Sequence, residues 1–117
     1  MTPRTFSITA GYKPNMTTFY LRMITVVEEN QFLERFSDIS DAMNDIQRSE
    51  HEYEAMVDAL KSWSVKAPTV KGQEESSDPP AEAIEKLFGE HAAENHRIVN
   101  AVLARYRQAL SPDVSFS

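Results

Sequence analysis

Residues 37–63 read SDISDAMNDIQRSEHEYEAMVDALKSW. Steps of three and four pick out Ile39, Ala42, Ile46, Ser49, Tyr53, Met56, Leu60 and Trp63, with Met43 and Val57 widening the stripe. That alternation predicts one amphipathic α-helix across the whole segment. Asp38, Asp41, Asp45, Arg48, Glu52, Asp58 and Lys61 fill other positions, so the opposite face is charged. At about 1.5 Å per residue the helix would run roughly 40 Å, too long to bury its seam alone. It needs a partner within the chain or outside it, which sets the expectation of an all-α fold.

Downstream, residues 64–80 lose the pattern. Gly72, Pro68, Pro79, Pro80 and the polar run Gln73-Glu74-Glu75-Ser76-Ser77 read as a long central linker. A second helix is predicted over 81–110, with Asp78 as N-cap, Pro79 in its first position and Glu82 and Glu85 in its opening turns. Its stripe is Ile84, Leu87, Phe88, His91, Ile98, Val102, Tyr106 and Leu110. Gly89 lies inside that helix, and close approach of another helix is one reason to keep a glycine there.

Upstream, residues 17–27 (TTFYLRMITVV) carry conflicting signals. Their β-branched and aromatic content favours a strand. Tyr20, Met23, Ile24 and Val27 nevertheless recur at helical spacing, and Asn15 can cap, so residues 16–36 are read as a helix, kinked near Glu29-Asn30. Phe6, Ile8 and Ala10 alternate with Thr5, Ser7 and Thr9 up to Gly11. With no evident second strand, residues 1–15 are read as an extended arm. The expected architecture is a single domain, 1–117: an antiparallel helical hairpin or three-helix bundle with an N-terminal arm, 111–117 forming a tail. Three helices leave part of the long seam open, so a homodimer is expected.

Composition narrows function mainly by exclusion. With 117 residues, 41 % hydrophobic and 26 % charged, the chain suits one globular domain. No apolar run reaches membrane-spanning length, and the N-terminus lacks a signal-peptide pattern, so a cytoplasmic protein without a membrane partner is expected. Zero cysteines exclude disulfides, thiol catalysis and thiolate zinc sites. The net charge of −6 is concentrated in residues 28–58, where ten acids face only Arg35 and Arg48. Such a segment repels phosphates, so no nucleic-acid partner is expected.

No phosphate-binding glycine loop, no Gly-x-Ser-x-Gly elbow and no His–Asp pair beside a nucleophile occurs, so the chain is not expected to be an enzyme. A non-enzymatic protein–protein interaction module is the leading expectation: an adaptor, a secretion-associated chaperone or an immunity-type protein, with no cofactor. Its candidate contact residues are Trp63, Tyr53, Asp41, Asp45 and Glu52, an aromatic pair and an acidic face. The alternative is a metal or small-ligand binder. Antiparallel pairing of the two long helices would bring Glu50 and Glu54 near His91 and Glu94, and carboxylate and imidazole from facing helices are what a bundle metal site uses. The order His91-Ala-Ala-Glu94 reverses the Glu-x-x-His motif of di-iron bundles. A self-assembling structural component is the third reading.

Two local resemblances accompany these readings. Helix, loop with Ser77-Asp78-Pro79, then helix resembles the hairpin of type III secretion needle subunits, although the connection here is far longer. Residues 94–101 (ENHRIVNA) are similar to a short stretch in the effector-binding domain of FadR-type regulators, whose DNA-binding half has no counterpart here. Each is too short to place the chain in a family.

Overall fold

A computed structural model describes residues 4–39 and 43–110. The elements are β1 (Thr5–Tyr12), β2 (Asn15–Arg22), α1 (Val26–Ser37), α2 (Asp45–Trp63), β3 (Ser64–Val70), α3 (Pro80–Leu87) and α4 (Ala93–Leu110). The expected all-α helical bundle is therefore wrong. The fold is mixed, with an antiparallel sheet in the order β1–β2–β3 beside four helices.

The expected arm and the first part of the expected 16–36 helix form a hairpin, and the rest of that helix is present as α1. Phe6 pairs with Leu21, Ile8 with Phe19 and Ala10 with Thr17, and all six are buried on one face. The period-two alternation of β1 thus finds its match in Thr17, Phe19 and Leu21. Helical spacing misled because its members scatter: Tyr20 lies half-buried in the strand, while Met23 and Val27 are exposed. Gly11 closes β1 at φ +139°, and a Cβ there would meet the Asn15 carbonyl at 2.8 Å. The other sheet face is polar. Thr9 and Thr18 share a hydroxyl hydrogen bond of 2.9 Å, and Lys66 Nζ sits 4.1 Å from the Tyr20 ring centre.

The long helix begins later than expected. Asp38 caps the end of α1, and α2 starts at Asp45 behind a capping box in which Asn44 and Gln47 exchange side-chain-to-backbone hydrogen bonds. Ile46, assigned to the seam, is 72 % exposed. From Tyr53 onward the stripe holds, and it packs against the sheet instead of another long helix: Tyr53, Met56, Val57, Leu60 and Trp63 join Phe6, Ile8, Phe19 and Leu21 in one core. The predicted linker opens directly as β3, an edge strand that tolerates Pro68 and carries a register irregularity against β2.

The final helix is two helices. α3 ends at Leu87 with Phe88 as C-cap, and Gly89 lies in the break before α4. Nothing but its own chain, the Glu85 carbonyl at 3.4 Å, approaches the position of a Gly89 Cβ, so no neighbouring helix requires the glycine. Pro79, not Asp78, is the N-cap of α3; the Asp78 carboxylate instead accepts from Lys86 Nζ at 2.9 Å.

Helix α4 lies along β1 and α3 along β3, with α2 between them. Tyr106 on α4 meets Phe6 edge-on at 5.7 Å and Trp63 at 5.7 Å, and its hydroxyl donates to the Arg22 carbonyl. Each large side chain of this core contributes roughly 1.5–3 kcal/mol by burial. Helix α1 packs more loosely, through Phe32 against Trp63 at 5.3 Å and an Arg35–Asp58 ion pair. At its start, Glu28 completes a capping box with Thr25 and forms a two-pronged ion pair with Arg22. No helix among the described residues is long and apolar enough to cross a membrane.

Candidate functional site

On α2, Glu50, Tyr53, Glu54, Val57, Asp58 and Lys61 recur at spacings of three and four and so share one face. The end of α3 and the segment after it bring Glu85, Phe88, Gly89 and His91 alongside. Between them runs a groove of about 380 Å³. Its floor is apolar and rigid: Tyr53, Val57 and Phe88 are all buried. Phe88 is held from beneath by the stacked ring of Phe19.

Tyr53 links floor to wall. Its hydroxyl donates to the Phe88 carbonyl at 3.0 Å, which satisfies an acceptor left open where α3 ends. Burial pushes its phenol above the ordinary value, with a hydrogen bond to Asn95 opposing the shift.

The walls are acidic but unevenly so. Lys61 Nζ stands 4.0 Å from Asp58 and 3.8 Å from Glu85, and Arg35 reaches the Asp58 carboxylate at 2.7 Å. These exposed pairs contribute little stability, about 0–1 kcal/mol each, but they neutralise one end of the groove. Glu50 and Glu54 form no ion pair among the described residues, so the end toward His91 keeps its negative charge.

Past that end three polar side chains converge. Ser49 Oγ lies 3.2 Å from His91 Nε2 and 3.4 Å from His96 Nδ1, and the two ring nitrogens are 3.3 Å apart. Three segments supply them: α2, the connection between α3 and α4, and α4 itself. The Tyr53 ring backs both imidazoles, at 4.9 Å from His91 and 6.1 Å from His96. A hydroxyl beside an imidazole is the start of a nucleophile–base pair. Neither imidazole has a carboxylate hydrogen-bond partner among the described residues, however, so none of these orients either ring as a catalytic base.

Of the residues expected to form a metal site, Glu50, Glu54 and His91 do line one groove, while Glu94 is not in its lining. Among the described residues no three His, Cys, Asp or Glu side chains are grouped to hold a metal ion. Of the expected contact residues, Trp63 and Tyr53 are buried in the core, and Tyr53 also lines the groove. Asp45 is exposed and 3.6 Å from Arg48, and Glu52 is half-buried. Asp41 lies outside the described residues. Sequence reasoning missed Glu85 and Phe88 as groove residues, because they were placed inside an unbroken helix. Ser49 stands in the expected stripe of the long helix, and no spacing in the sequence pairs it with His96. No family model, curated protein or solved structure matches the chain.

Proposed function

We propose that this chain is a non-enzymatic protein–protein interaction module, and that the α2–α3 groove receives a basic, partly apolar segment of a partner protein. The observation that carries this reading is the pairing of a buried apolar floor with two carboxylates, Glu50 and Glu54, that form no ion pair among the described residues. A groove of this size suits one or two apolar side chains, and Lys or Arg beside them would meet the acidic rim. Charge complementarity of this kind selects the partner and speeds encounter more than it adds affinity. Because the α2 stripe packs on the sheet, the unburied seam that suggested a homodimer is no longer an argument for one.

The test uses fluorescently labelled amphipathic peptides with one Leu or Phe anchor flanked by lysines, and the same peptides with glutamates replacing the lysines. Saturable binding of the basic series is expected. It should weaken about tenfold with Glu50→Lys/Glu54→Lys and fall steeply between 50 and roughly 500 mM salt. Equal binding of the acidic series, or binding indifferent to the double substitution, would remove the reading.

A further inference from the structure

We infer that Ser49, His91 and His96 form a binding site for a borderline divalent transition-metal ion, of the Zn²⁺, Ni²⁺ or Cu²⁺ class. The three donor atoms sit at the corners of a nearly equilateral triangle with sides of 3.2, 3.3 and 3.4 Å. The centre of such a triangle is about 1.9 Å from each corner, so an ion just above its plane meets all three near the 2.0–2.1 Å typical of zinc–imidazole bonds. Imidazole nitrogen is the ligand these ions prefer, and it does not suit Mg²⁺ or Ca²⁺.

Hydrogen bonds can join two of the three pairs: Ser49 can donate to one ring nitrogen and accept from the other ring's N–H. The 3.3 Å contact between the two ring nitrogens is then left to a shared proton. A single cation satisfies all three lone pairs at once. Access is open, because His91 is exposed and His96 half-exposed, so water can complete the coordination sphere. Two imidazoles and a hydroxyl lack the third strong ligand of a structural zinc centre, so binding is weaker than at such a centre. Bound there, the ion would pin the α3–α4 connection to α2 and α4. The site shares His91 with the groove but does not depend on the groove receiving a peptide.

The test is calorimetric titration of Ni²⁺ and Zn²⁺ into the full chain, tag-free and stripped with chelator, at pH 7.5. One equivalent should bind. His91→Ala and His96→Ala should each weaken binding about tenfold or more, and Ser49→Ala a few-fold. His51→Ala, which removes the remaining histidine, should change nothing. Both histidines lie at the surface, and circular dichroism of each variant checks that it is folded. Absence of saturable binding to the unaltered chain overturns the site outright, and so does affinity that is undiminished in His91→Ala or His96→Ala or is lost in His51→Ala.

Discussion

The ring of Phe88 stacks on that of Phe19, with centroids 5.8 Å apart and planes 11° from parallel. This one contact fastens the C-terminal end of α3 to the central strand and thereby fixes the floor of the groove. Phe88→Ala should cost about 3–5 kcal/mol, and Phe88→Leu, which keeps most of the volume, about 1–2 kcal/mol. Urea unfolding of the three chains gives both values. A cost below 1 kcal/mol for the alanine variant would show that α3 is not anchored through this ring.

Gly11 meets two demands at once. Its φ of +139° strains any residue with a side chain, and the Asn15 carbonyl stands 2.8 Å from where a Cβ would lie. Gly11→Ala should destabilise the fold by about 1–3 kcal/mol, chiefly by disturbing the β1–β2 register. A thermal midpoint unchanged from the parent would contradict this.

The Arg22–Glu28 pair predicts an acid limb to stability. The Arg22 guanidinium, helped by the Thr25 backbone N–H, holds the Glu28 carboxyl down to about 2 from an ordinary 4.5. A carboxyl depressed in the folded state contributes stability that is complete above its unfolded value. That contribution is lost as the pH falls from about 4.5 toward 2. Arg22, raised by the same hydrogen bond, stays charged throughout. Glu28→Gln should cost about 1–2 kcal/mol at neutral pH and flatten the slope of the urea midpoint in that window. An identical acid profile for both chains would mean that the pair does not report on folding.

Some of this was legible in the sequence and some was not. The alternation of Phe6, Ile8 and Ala10 is visible in one dimension, and so are the second half of α2 and the start of the α3 region. Residues 17–22 satisfy strand and helix patterns alike, and what decides between them is pairing with β1 on one side and with residues 64–70 on the other. A prolyl edge strand such as β3 has too weak a local signal to announce that pairing. The same holds for the site. Glu50, Glu54 and His91 could be brought together on paper by laying two helices side by side. Phe88 and Glu85 could not, because their role depends on the break after Leu87, where Tyr53 takes up the carbonyl that a continuous helix would have used.

Strand β2 has a neighbour in sequence on one side and, on the other, a strand that arrives only after α1 and α2. The first pairing is a local hairpin, whereas the second waits on closure of a long loop. The topology therefore implies an order of assembly, hairpin first and β3 last, which substitution kinetics can check. Side chains of β1 and β2 should influence the folding rate, and those of β3 the unfolding rate. During synthesis the emerging chain would carry β2 with one edge unpaired until Ser64–Val70 leaves the ribosome. That interval is when the nascent protein is most exposed to mispairing with another chain.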